Sequence, residues 1–399
     1  MAQRRSRVRG FHFAGVHCGI KQAGARDVAL VSSDRPAAVA GVFTRSTVPG
    51  APVVLCKRKV KNGWARGVVV NAGISNVAMG ARGLRDARAM AARAAAAVGC
   101  SEADMLVAST GVIGVPLPMA KIENGIAQAA KRLGPDGLAQ AADAIRTTDT
   151  VAKTAYRRRR VGERFVNVAG MAKGSGMIEP RMATMLAFVV TDAAAEPDLL
   201  RGLWREVTEE TFNRVTVDGE TSTSDMAIVM ANGACGGRPL RSSRGEAARR
   251  LRTVLLEVCT ELAKDLARDG EGATKLVTIE VSGARTPAEA ERAGRRIANS
   301  MLVKTALFGR DPNWGRILQT VGAGEIRLDL ARTEVDLCGV PVFRNGASTG
   351  EAARRRAGSR MAAPEIEIRV HLAAGRAKAR FWTCDLSYDY VRINAEYTT

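Results

Sequence analysis

The sequence predicts a layered α/β (α+β) fold, on three observations. Short apolar runs of strand length are intermixed with longer stretches of helical periodicity along the chain. With 399 residues it is long enough for two domains or one large α/β unit with a sizeable core. Its hydrophobic fraction is 46% while aromatics make up 4%, so the interior has to be built from Ala, Val, Leu and Ile.

The elements follow in chain order. Residues 27–31, 37–43, 52–56 and 67–71 are short apolar runs bounded by turns, and each reads as a buried strand. An Ala-rich stretch predicts a helix over 84–98, followed by a strand at 105–109 and helices near 118–132 and 138–146. A further apolar run predicts a strand at 185–190. Between 197 and 211, Leu199, Leu200, Leu203 and Val207 fall at helical spacing. Residues 226–231 read as a strand, and 246–268 as the longest helix, with Leu251, Leu255, Cys259 and Leu262 along one face. Residues 276–281 and 366–372 alternate apolar and polar with period two, as half-buried strands do. No internal repeat or flexible linker stands out.

Composition narrows the function class. No apolar run approaches the ~20 residues needed to span a bilayer, and the basic N-terminus has no apolar stretch behind it, so a cytoplasmic protein is expected. Seven scattered cysteines without a Cys-x-x-Cys pair argue against a disulfide framework or a zinc site. Three histidines, His12, His17 and His371, supply a Ser-His-Asp relay poorly. The formal charge of +20 raises nucleic acid as a partner. Its arginine runs at 157–160, 249–250 and 354–356 have no interleaved aromatics for base stacking, so a solvated face is expected instead.

The chemistry concentrates in Lys173-Gly-Ser-Gly-Met-Ile and Met182-Ala-Thr-Met-Leu. A cation sits between glycines eleven residues before Thr184, which opens an apolar strand. On spacing alone Thr184 is a strand residue. A hydroxyl becomes a nucleophile when a base stands beside it, and an N-terminal threonine carries that base in its own α-amine. This segment resembles the processing site of the glutamate N-acetyltransferases of arginine biosynthesis, also called ornithine acetyltransferases. Further blocks match in the family's order: Ala108-Ser-Thr-Gly-Val-Ile-Gly114, Thr147-Thr-Asp-Thr150, Phe212-Asn-Arg-Val-Thr-Val-Asp-Gly219, Arg268-Asp-Gly-Glu-Gly-Ala-Thr-Lys275, Gly309-Arg-Asp-Pro-Asn-Trp-Gly-Arg316 and Asn394-Ala-Glu-Tyr-Thr-Thr399.

The resemblance implies a chain that cuts itself between Ala183 and Thr184, leaving pieces 1–183 and 184–399 in a layered sandwich. It implies Thr184 as nucleophile, Thr110 and Gly111 as oxyanion site, and substrate contacts at Thr147, Lys173, Thr184, Glu271, Asn394 and Thr399. Lys173 suits a substrate carboxylate and Glu271 an amino group. The implied reaction passes acetyl from N-acetylornithine through acetyl-Thr184 to glutamate. No metal or resident cofactor is called for, and acetyl-CoA is a second donor that some members accept. The implied assembly is an α2β2 heterotetramer. Asp311-Pro-Asn-Trp-Gly-Arg316 reads as structural support near the site, and no metal is implied at Asp218-Gly-Glu-Thr-Ser-Thr-Ser-Asp225.

Ile74, Glu179 and Arg181 depart from the family's usual residues, which leaves the acceptor amine open. The alternatives are a relative acting on another N-acyl amino acid in specialised metabolism and a related self-processing aminopeptidase.

Overall fold

The computed structural model describes residues 7–22, 24–179 and 185–396. The first half runs β1 (Phe11–Val16), β2 (Val28–Phe43), α1 (Ala51–Lys59), β3 (Trp64–Ile74), α2 (Gly80–Val98), β4 (Met105–Val112), α3 (Met119–Lys131), α4 (Leu138–Ala144), β5 (Lys153–Val161) and β6 (Arg164–Lys173). The second half runs β7 (Leu186–Thr191), α5 (Pro197–Glu210), β8 (Met226–Ala231), α6 (Glu246–Arg268), β9 (Leu276–Ala284), α7 (Pro287–Asn299), α8 (Met301–Phe308) and α9 (Trp314–Gly322). It ends with β10 (Glu334–Leu337), β11 (Val340–Arg344), β12 (Ala347–Ser348), α10 (Glu351–Arg360), β13 (Glu365–His371), β14 (Ala377–Cys384) and α11 (Tyr388–Glu396). The layered α/β expectation holds.

Residues 52–56 are a correction: they lie in helix α1, where a strand was expected. Five apolar residues carry no period that tells strand from buried helix. The deciding signals are the extended Gly50 at the helix entrance and Pro52 in its first turn, where a missing N–H costs nothing.

Among the described residues, eight strands form the first sheet in the order β4-β3-β2-β8-β7-β6-β5, with β1 on the first half of β2. Pairs β3/β4 and β7/β8 are parallel, and the other neighbours antiparallel. The central strands are buried along their whole length, as β7 and β8 are, which is why they read as continuous apolar runs. The second sheet has the order β12-β11-β10-β13-β9-β14.

Helix α6 lies between the sheets, packing on β5 and β6 and also on β9 and β14. Its face carries Leu251, Leu255, Cys259, Leu262 and Leu266, all fully buried, and each buried leucine contributes about 1.5–3 kcal/mol. Helices α1 and α4 fill the opposite, concave side of the first sheet, where Val70 and Ala108 share one core with Met171 and Phe188.

The hairpin β5–β6 turns at Gly162, whose φ of +60° suits a two-residue connection. Its edge strand β5 carries the longest arginine run, a common guard on open edges. Arg157 and Arg159 pair with Glu257 on α6, and Arg158 stacks over Phe165 at 4.3 Å. The runs at 249–250 and 354–356 likewise contain paired arginines, Arg250 with Glu246 and Arg354 with Glu351. No helix among the described residues is long and apolar enough to cross a membrane.

Candidate active site

The curvature of the first sheet creates the site. Strands β4 and β6 are separated by β3, β2, β8 and β7, which in a flat sheet would hold them roughly 24 Å apart at ~4.8 Å per step. Yet Lys173, the last residue of β6, donates from Nζ to Thr110 Oγ1 in β4 at 3.2 Å and to Thr147 Oγ1 at 2.7 Å. The sheet therefore curls until the ends of these strands face each other, and the lysine bridges the mouth.

A buried ionic network anchors the lysine. Asp149 is 4% exposed and accepts from Lys153 Nζ at 2.7 Å, from Gly174 N–H at 2.7 Å and from Thr147 N–H at 3.0 Å. Lys153 reaches on to Asp269, which also accepts from the Thr150 N–H at 3.1 Å. Burial alone would push the Asp149 carboxyl up, but the charges of Lys173 and Lys153 and the Gly174 N–H overcome it and hold it well below the usual carboxylate range. Burial pushes Lys173 below its ordinary value, and Asp149 opposes that shift. The charge of Asp149 thus acts on a lysine that lines the pocket.

The pocket is a small cavity of about 110 Å³ that opens to solvent. Thr110, Gly111, Ser75 and Ile113 line one wall, and Met185, Leu186, Ser224 and Asp225 another. Gly111 has φ +125°, and a Cβ there would stand 2.2 Å from the backbone carbon of Gly73, so no other residue fits this strand end. Glu271 and Asn394 close a third side, joined by a 2.9 Å hydrogen bond from Asn394 Nδ2. Gly176 permits the close approach of Glu271, whose Oε2 would meet an added Cβ at 2.3 Å.

Thr110, Gly111, Thr147, Lys173, Glu271 and Asn394 thus converge on one pocket from five separate stretches of chain. Ala183, Thr184 and Thr399 lie outside the described residues, as does Arg181; Met185, which follows Thr184, lines the pocket. The tail folds as α11, and Tyr390 Oη lies 3.5 Å from Asp218 Oδ2. Asp218 itself accepts from the Met177 and Ile178 N–H groups at 2.6 and 2.9 Å, fixing the loop after Lys173.

Of the departures, Glu179 faces away from the pocket and pairs with Arg295 on α7 at 3.0 Å, and Ile74 packs against the core under α2 and α3. Asp311–Arg316 supports the second layer: Asn313 caps α9, accepting from the Arg316 N–H at 3.1 Å, and Trp314 packs on Phe343 at 4.9 Å. No residue of that block lines the pocket.

Sequence reasoning missed Asp149, Lys153, Asp269 and Asp225. Asp149 and Lys153 carry a weak signal in their spacing of four, but the partner Asp269 is far along the chain. Chemically, the pocket offers a hydroxyl beside a glycine N–H, a cation and carboxylates, which suits acyl transfer between small charged amines.

Comparison with known proteins agrees. Residues 12–399 match the model of the ArgJ family. The chain is similar to the arginine biosynthesis bifunctional protein ArgJ of Geobacter sulfurreducens, at 47% identity over 98% of this chain and 100% of that one. It is also similar to the protein of the same name from Thermus thermophilus, at 47% identity over 98% of both. Among solved structures, the Bacillus halodurans arginine biosynthesis bifunctional protein argJ superposes with a TM-score of 0.51 at 40% identity, covering 53% of this chain and 98% of that one.

Proposed function

We propose, from the premise that this chain belongs to the ArgJ family, that it is an acetyltransferase of arginine biosynthesis that cuts itself between Ala183 and Thr184 and then carries the acetyl group on Thr184. The gathering of Thr110, Gly111, Lys173, Glu271 and Asn394 around Met185, the residue after Thr184, and Leu186 at the head of β7 carries this reading.

In the proposed cycle the Thr184 hydroxyl, with its own α-amine as base, attacks the acetyl carbonyl of N-acetylornithine. Thr110 Oγ1 and the Gly111 N–H receive the oxyanion. Lys173, with Thr147 on its ammonium, holds a substrate carboxylate, and Glu271 with Asn394 holds an amino group; Thr399 is assigned to the same substrate set. Ornithine leaves, glutamate enters, and the acetyl ester passes to its amine. Acetyl-CoA serves as a second donor in this reading, and no resident cofactor takes part.

Two pieces, 1–183 and 184–399, assemble as α2β2 in the cytoplasm. A solved relative whose whole chain covers about half of this one supports a cut near the middle.

Intact-mass measurement of the protein with N-acetylornithine tests the reading. Two polypeptides are expected, with the piece beginning at Thr184 gaining one acetyl group. Thr184→Ala should stay a single inactive chain. A full-length Thr184→Ala protein with undiminished transfer would refute the mechanism.

A further inference from the structure

Self-processing needs a proton acceptor that acetyl transfer does not. After the cut, the α-amine of Thr184 stands beside its hydroxyl. Before it, that nitrogen is an amide and has no basicity to offer. The base for the cut has to come from elsewhere in the pocket.

Among the described residues two carboxylates line it, Glu271 and Asp225. Glu271 is engaged by Asn394. Asp225 stands at the head of β8, beside the head of β7. The parallel register pairs Leu186 with Met226, and the Met226 N–H donates to the Met185 carbonyl at 3.0 Å. The residue after Thr184 is thereby tied to the residue after Asp225. Asp225 is 2% exposed, and among the described residues its Oδ2 has no hydrogen-bond partner. Burying a carboxylate oxygen without a donor destabilises the fold, and such orphans call for a chemical explanation.

We propose that Asp225 is the proton-transfer residue of self-processing, an assignment that rests on the Ala183–Thr184 cleavage above. The Thr184 hydroxyl oxygen bonds to the Ala183 carbonyl carbon while its proton passes to the Asp225 carboxylate. The C–N bond then breaks, the proton moves from Asp225 to the departing nitrogen, and an ester with a free amine remains. One water hydrolyses the ester, freeing the Ala183 carboxylate and restoring the Thr184 hydroxyl. Burial raises the Asp225 pKa well above the ordinary carboxylate value, with Ser222 and Lys173 opposing. Greater basicity favours taking up a hydroxyl proton.

The test follows cleavage of the full chain by intact mass in wild type, Asp225→Asn and Thr184→Ala, with neutral hydroxylamine as a probe for an ester at Ala183–Thr184; its cuts at the four Asn-Gly bonds of the chain give other masses. Asp225→Asn is expected to remain full length, to cleave at least a hundredfold more slowly than wild type, and to release no 1–183 fragment with hydroxylamine. It should melt no lower than Thr184→Ala, since asparagine removes a buried charge without changing shape. Cleavage at the wild-type rate overturns the assignment. So does a full-length Asp225→Asn chain that hydroxylamine cuts between Ala183 and Thr184, because the acyl shift would then have occurred without the carboxylate. If Asp225→Asn fails to fold, Asp225→Gly decides: cleavage restored by formate and not by chloride supports the assignment, and no recovery overturns it. A wild-type chain that never cuts removes the reading beneath as well, so the two failures are distinguishable.

Discussion

Asp149→Asn isolates the charge network behind Lys173. The substitution keeps the shape and turns one acceptor oxygen into a donor facing Lys153, the Gly174 N–H or the Thr147 N–H, all of which now donate to the carboxylate. Lys153 is 1% exposed and keeps Asp269 as its remaining partner. Removing one member of a buried pair costs about 3–5 kcal/mol, and the surviving Asp269 contact puts the expectation near the lower end, ~3 kcal/mol. Urea unfolding followed by circular dichroism measures it, with Thr184→Ala in both proteins so that one polypeptide unfolds. A loss below ~1 kcal/mol would refute a network that holds the site together.

The pH dependence supplies the sign. The Asp149 carboxyl is held below its ordinary range in the fold, and its unfolded pKa lies near ~3.9. A depressed carboxyl contributes stability that is fully present above the unfolded value and lost as pH falls through the folded one. The stability gap between Asp149 and its asparagine variant should stay constant from about pH 5 to 8 and shrink below about pH 4. A gap that shrinks between pH 8 and 6 instead would place the titration on another group.

Two glycines separate fold from ligand. Gly176→Ala forces the Glu271 carboxylate aside, since the new Cβ would lie 2.3 Å from Oε2; KM for an amino-acid substrate should rise about tenfold or more while thermal stability changes little, because a side-chain end can move where backbone cannot. Gly111→Ala combines a φ of +125° with a 2.2 Å clash against the Gly73 backbone, so it should lower stability by ~3 kcal/mol or more in the same unfolding assay, and a mild effect would mean that the β3–β4 pairing is not tight there.

The fold's centre is readable because strands buried on both faces write themselves as unbroken apolar runs, as at β7 and β8, and because α6 repeats its leucines at helical spacing. The β5–β6 hairpin escapes the same reading. The arginine run of β5 masks its alternation, and the apolar residues of β6 are broken by Asn167 and Gly170. The pocket residues come from motif resemblance and then from geometry: nothing in the local sequence says that Lys173 meets Thr110, because that contact depends on the curl of a whole sheet. Asp149 sits among several loop aspartates, and only its partners far along the chain distinguish it. Asp225 precedes an apolar strand, as many surface aspartates do, and the lack of a partner for its Oδ2 among the described residues is a property of the packed pocket.

The sheet order also bears on what a cut at Ala183–Thr184 can do. Strands β1 to β6 precede the junction, and β7 and β8 follow it. In the sheet, β8 pairs with β2 and β7 pairs with β6, so the two later strands lie between strands of the earlier piece. The pieces are therefore interleaved layers of one sheet, and the junction is no boundary between domains. Separating them would break two full ladders and open the core that Ala169, Met171, Phe188 and Ile228 share, so a single broken peptide bond leaves the pocket assembled. The break frees one group at the head of β7, an amine, while β6 on one side and β8 on the other hold that strand in register. A cut at the proposed junction would therefore free an amine beside a strand that both neighbouring ladders still hold, and the fold would lose little by it.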